Sequence, residues 1–93
     1  MGEIDLSTAP ALRTRIDTLI HDGARRLVVS LERVAFLDSS GLSALIAAMK
    51  GMQAAGGRLA IACSREPVLK VFAVTGTDRV FTIRGSVAEA TAA

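Results

Sequence analysis

Ninety-three residues are enough for one hydrophobic core and too few for two, so a single domain over residues 1–93 is expected. At 51% hydrophobic residues and a mean hydropathy of +0.44, the composition excludes a disordered chain. The 11 Lys+Arg exceed the 9 Asp+Glu by only two charges, Phe is the only aromatic type, and no basic run is longer than Arg25-Arg26, which argues against a nucleic-acid binder.

The longest uncharged run, Ser39 to Met49, falls well short of the roughly 20 residues that span a bilayer, so no membrane insertion is expected. The start, Met1-Gly2-Glu3-Ile4-Asp5, carries acid where a signal peptide would be basic. The single cysteine, Cys63, lies in the apolar run RLAIAC and reads as a buried strand thiol without a disulfide partner. These features together point to the cytoplasm.

In chain order, Leu12, Ile16, Leu19 and Ile20 recur at i, i+4, i+7 and i+8 and predict a helix from Ser7 to about Asp22. Ser7 or Thr8 would cap it, Pro10 suits its first turn and Gly23 would stop it. RRLVVSLE predicts a strand at Leu27–Leu31, apolar on both faces as parallel strands covered by helices are. Leu42, Leu45, Ile46 and Met49 mark a second helix ending at Gly56-Gly57, and Arg58–Cys63 is a second strand. Pro67 opens a shorter helix carrying Val68, Leu69, Val71 and Phe72, closed by Thr75-Gly76. Arg79–Ile83 predicts a third strand, and Ser86 with Glu89, at capping-box spacing, starts a last helix. The order implies right-handed crossovers and a small α/β domain with a mainly parallel sheet and about four helices.

The chemistry concentrates where a strand turns into the second helix, at Asp38-Ser39-Ser40-Gly41. A nucleophile elbow needs Gly-x-Ser-x-Gly, and centred on Ser39 the outer positions are Leu37 and Gly41, so half of it is missing. The only histidine, His21, ends the first helix, where a cation suits the helix dipole better than it suits a triad. No phosphate loop with its Lys follows a strand, and no Cys/His cluster or spaced carboxylate set offers a metal site. An enzyme, a cofactor and a metal are therefore not expected. A helix N-cap needs one Asp or Ser and gains about 1 kcal/mol from it. Three such residues exceed that need, and Gly41 in the first turn costs about 1 kcal/mol relative to Ala unless close backbone approach or clearance for a partner requires it.

The segment FLDSSGLSALIAAMK resembles the signature of STAS domains, bacterial anti-sigma factor antagonists in particular. GEIDLSTAPALRTRI resembles the family's Gly-Glu-(Leu/Ile)-Asp segment and the helix after it. GARRLVVSLERVAFLDSSG resembles the strand and loop before the signature. GGRLAIACSREPVLKVFAVTGTDRVFTI resembles its later strand, helix and strand, with the Thr-Gly after the helix. The likeness runs from Gly2 to about Gly85. It implies a substrate and switch, not a catalyst. The unphosphorylated protein would bind an anti-sigma factor that is also a serine kinase, releasing the sigma factor. Phosphorylation at Ser39 would break that binding and a PP2C-type phosphatase would restore it. Partner contacts are implied at Asp5, Asp38, Ser40, Gly41 and Leu42, with Ser40 also expected to support the cap.

The corner suits those roles physically. Backbone N–H groups and the positive end of the helix dipole can receive a phosphate without melting the helix. A phosphoserine adds about −1.5 to −2 charges beside Asp38. Under a partner surface lacking an arginine this costs several kcal/mol, a hundredfold or more in affinity. Two other readings stand beside this one: an unphosphorylated STAS subunit of an assembly such as a lipid-transport ATPase, and a small-ligand or nucleotide-binding module. The family usually has a further stretch before Gly-Glu-x-Asp that supplies one or two strands. With those shortened or missing, the strand at Leu27–Leu31 is expected to have an open side, through which two copies would pair into a homodimer.

Overall fold

The computed structural model describes residues 2–5, 9–34 and 37–92, with side chains from residue 14 onward. Four strands, β1 (Gly2–Asp5), β2 (Arg26–Ser30), β3 (Arg58–Ala62) and β4 (Thr82–Arg84), form one parallel sheet in the order β1-β2-β3-β4. Helices α1 (Ala9–His21), α2 (Ser39–Ala54), α3 (Glu66–Thr75) and α4 (Val87–Ala92) make the connections and close the chain. This is the α/β class expected from the alternation of elements. The cap expected at Ser7 or Thr8 lies outside the described residues.

Alternation along β2 divides the core in two. Leu27, Val29 and Leu31 join one large cluster with Ile16 of α1, Leu45 and Met52 of α2, and Val68 and Phe72 of α3. Val28 faces the other way, into a smaller cluster with Ala62 and Ala90 of α4. Three helices thus cover one face and one short helix the other, which is why β2 is apolar on both sides. Burying each large side chain of the first cluster contributes about 1.5–3 kcal/mol.

Two expectations are corrected. Leu27–Leu31 does not have an open side: Gly2–Asp5 is a strand, short but present, and pairs in register from Gly2 against Leu27 to Asp5 against Ser30. The backbone groups expected to seek a second copy there are used within the chain, so that route to a homodimer falls. The third sequence-predicted strand, Arg79–Ile83, begins instead as a 3-10 turn at Thr77–Arg79, and the strand is displaced to Thr82–Arg84. The carbonyl of Thr77 accepts from the amides of both Val80 (3.0 Å) and Phe81 (3.1 Å), which winds the chain and turns Phe81 inward. Its ring meets Phe72 edge to face at 5.6 Å and 74°.

The return from α2 to β3 depends on one glycine. A Cβ at Gly57 would stand 2.6 Å from the carbonyl oxygen of Arg25 and 2.7 Å from Cε of Met52, so only glycine lets this turn close onto the start of β2. In the last helix the Ser86 hydroxyl accepts from the amide of Glu89 at 3.1 Å, the forward half of the expected capping box.

Candidate functional site: a hydroxyl-bearing corner at the carboxyl edge of the sheet

All four strands are parallel, so their C-terminal ends share one edge, and the connection from β2 leaves that edge to start α2. The amide of Leu31 donates to the carbonyl of Ala62 at 2.8 Å, carrying the pairing with β3 one residue beyond Ser30. The amide of Val34 then turns back on the carbonyl of Leu31 at 3.0 Å. Leu37 is buried. Asp38 is extended at φ −92°, ψ 178°, and its Oδ1 accepts from the amide of Gly41 at 2.8 Å. Asp38 is therefore the N-cap, and its carbonyl also accepts from the amide of Leu42 at 3.0 Å.

Ser39 and Ser40 are the first two residues of α2, both exposed. Neither hydroxyl has a hydrogen-bond partner among the described residues. The supporting-cap role expected of Ser40 goes to Asp38 alone, because Asp38 precedes the helix with extended backbone and can reach forward to Gly41, whereas Ser40 is already inside the first turn. Ser39 combines an accessible Oγ with a helix terminus whose first amides have no intrahelical acceptor. A phosphate there would meet backbone donors and the positive end of a 16-residue helix.

Gly41 is buried, and a Cβ on it would lie 2.8 Å from Cδ1 of Leu37 and 3.4 Å from Oδ1 of Asp38. Of the two reasons for glycine here, close approach is thus met within the chain: it lets Leu37 fill the core while Asp38 caps. Leu42, half-buried, packs on the large core cluster directly beside the exposed serines. The backbone of Asp5 ends β1 opposite Ser30, at the same carboxyl edge. His21 ends α1, before β2 begins, which puts it at the opposite edge of the sheet and away from Ser39.

A second polar group at this edge was not found from the sequence. Ser64 Oγ donates to Oε2 of Glu32 at 2.8 Å, and Nη1 of Arg65 donates to the carbonyl of Glu32 at 3.3 Å. The Ser64-Arg65 pair follows an apolar strand as Ser39-Ser40 follows Leu37-Asp38, and that recurrence is the signal that could have drawn attention to it. Between them, Cys63 is buried, and burial pushes its thiol above the usual range, so it is not a ready nucleophile. Among the described residues no three His, Cys, Asp or Glu side chains gather as a metal site, and no helix is long and apolar enough to cross a membrane.

The family model of the STAS domain matches residues 1–90. The chain belongs to the STAS family. Over 82 residues it is 33% identical to an anti-sigma-B factor antagonist of Bacillus subtilis, a match covering 88% of this chain and 74% of the relative. The crystal structure of an anti-sigma factor antagonist from Mycobacterium paratuberculosis is similar at a TM-score of 0.80 and 30% identity, covering 97% of this chain and 76% of that one. The Bacillus cell fate determinant SpoIIAA in its phosphorylated form is similar at a TM-score of 0.67 and 28% identity, over 98% and 82% of the two chains. For this STAS domain, then, the likeness seen between Gly2 and Gly85 extends to the fold. The Asp38–Leu42 corner stands within the matched span.

Proposed function

We propose that this STAS domain is an anti-sigma factor antagonist governed by phosphorylation at Ser39. Unphosphorylated, it binds an anti-sigma factor that is also a serine kinase and so frees the sigma factor. Phosphorylated, it lets go, and a PP2C-type phosphatase resets it. The observation that carries this reading is an accessible serine at the first position of a helix that Asp38 already caps. Its hydroxyl has no task among the described residues of the fold. The named relatives support the same role, since the Bacillus subtilis protein is an anti-sigma-B factor antagonist and SpoIIAA has been solved in a phosphorylated form.

The switch acts by charge at an interface. Ser39, Ser40 and the half-buried Leu42 make a small mixed surface with Asp38, and Asp5 ends its strand at the same edge. A phosphate adds about −1.5 to −2 charges to a surface that already holds Asp38, so a partner fitted to the free serine meets both repulsion and a desolvation penalty. The protein contributes an acceptor hydroxyl and a docking face and no catalytic group of its own. The test is phosphosite mapping after incubation with the cognate anti-sigma factor and Mg-ATP. Phosphate on Ser39, lost in Ser39→Ala and retained in Ser40→Ala, is the expected result. Phosphate on Ser40 of the wild-type protein, or co-purification with transporter ATPase subunits and no phosphate at all, overturns it.

A further inference from the structure

We propose that a cavity between α4 and the amino ends of β2 and β3 binds a phosphate group, free or carried on a small phosphomonoester. Arg26 and Arg58 are the first residues of their strands and stand side by side in the parallel register. Neighbouring strands lie about 4.8 Å apart, so two like charges share one end of the sheet. Both side chains leave the face that α4 covers, because Val28 and Ala60, two residues on from each, pack with Ala90. The helix that Ser39 begins packs on the other face and starts from the other edge, so this cavity lies outside the proposed switch.

The six residues of α4 leave a cavity of about 80 Å³ over Val28 and Ala60. Thr82, opposite Ala60 on β4, and Thr91 of α4 line it together with the two arginines, and no acidic residue does. Nη2 of Arg26 makes a long bond of 3.4 Å to the carbonyl of Thr91, which keeps that guanidinium beside α4. The guanidinium of Arg58 and the hydroxyls of Thr82 and Thr91 have no hydrogen-bond partner among the described residues. Donor-bearing side chains thus surround the cavity from three strands and a helix. An anion among them offsets the repulsion between the arginines and gives the donors an acceptor. A tetrahedral phosphate can meet donors from several directions, whereas a planar carboxylate serves those near its own plane. Sites for whole drug-sized ligands hold roughly 300–1,000 Å³, so this cavity takes the anionic group alone and leaves any remainder outside.

The experiment titrates inorganic phosphate and glycerol phosphate into the isotope-labelled full chain and follows its amide resonances, with acetate and sodium chloride at matched ionic strength as controls. Saturating shifts are expected at Arg58, Ala60, Thr82 and Thr91 with phosphate, with weaker binding of acetate and none of chloride. Tighter binding of the ester identifies a phosphorylated small molecule as the ligand, and binding of inorganic phosphate alone identifies the free ion. Arg58→Ala should weaken binding about tenfold or more, the loss expected for a charged hydrogen bond. Arg58→Lys should lose less, since it keeps the charge without the fork, and Thr82→Val about threefold. Arg15→Ala removes the same charge from α1, on the other face, and should bind as wild type does. Arg58 and Thr82 are exposed, so these variants should melt as wild type does without phosphate. Shifts that grow linearly without saturating overturn the site, as do equal shifts in chloride or equal binding of acetate. So do shifts confined to the amides of Ser39 to Gly41, or an Arg58→Ala variant that binds phosphate as tightly as wild type.

Discussion

Two strand-to-helix corners leave the same edge of this sheet, and they are built in opposite ways. At the first, Asp38 caps α2 with its own side chain, and two further hydroxyls, on Ser39 and Ser40, stand exposed without partners among the described residues. At the second, no side chain caps α3; Glu66 and Pro67 suit its first turn, and Ser64 and Arg65 reach away to Glu32. A helix can therefore start at this edge without Ser-Ser, and the first corner carries polar groups the fold does not use. Hydroxyls free of a structural task are what the reading of Ser39 proposed above requires.

The largest effect separates anchoring from presentation. The second corner is held through the helix behind it, where Val68 and Phe72 are fully buried and Phe72 meets Phe81. Phe72→Ala should destabilise the protein by about 3–5 kcal/mol, a large part of the 5–15 kcal/mol typical of a domain, read as a lowered urea midpoint. A loss below about 1 kcal/mol would show that α3 is fixed at the corner and not by its core face.

Next comes Ser39→Asp, which loads charge onto the first corner alone. Its carboxylate brings about half the charge of a phosphate, so binding to the anti-sigma factor should weaken at least tenfold while falling short of full loss. Stability should hold or rise slightly, because an acid in the first turn suits the helix dipole. Equal affinities of wild type and variant by calorimetry count against an electrostatic switch.

How much of this could be read in the residues follows the same division. The α/β class and four helices were legible because Leu42, Leu45, Ile46 and Met49, and the apolar run Leu27–Leu31, have unambiguous periods. β1 was underestimated, since Gly2–Asp5 is too short to show a period and declares itself only by pairing with β2. The strand at Arg79–Ile83 was misplaced because Val80 and Phe81 have high strand propensity, yet the Thr77 carbonyl and the Phe72 ring wind that stretch into a turn. At the site, the Asp38–Gly41 motif stood out as a string of capping residues. Which of them caps depends on backbone angles at Asp38, and the hydrogen bond from Ser64 to Glu32 joins residues 32 positions apart; no local pattern encodes either.

A smaller effect tests the division of labour within the first corner. Asp38→Ala should lower stability by about 1 kcal/mol, while Asp38→Asn, which keeps an acceptor for the Gly41 amide, should cost only a few tenths of that. Similar losses in both, measured by chemical denaturation, would mean that the charge and not the cap is what α2 requires.

The smallest effect is the most telling for function. With both serines replaced, Ser39→Ala/Ser40→Ala, the cap at Asp38 and the approach of Leu37 to Gly41 remain intact. The new alanines are the better helix formers by a few tenths of a kcal/mol each. Stability should therefore stay within about 0.5 kcal/mol of wild type, as for surface sites without a structural task. Phosphate incorporation and its effect on partner binding should vanish in the same variant. Such a split, no change in folding and complete loss of the switch, is expected only where hydroxyls serve another molecule. A stability loss above about 1 kcal/mol in the double variant would place at least one hydroxyl in the structure's own service and remove the surplus on which the comparison of the two corners turns.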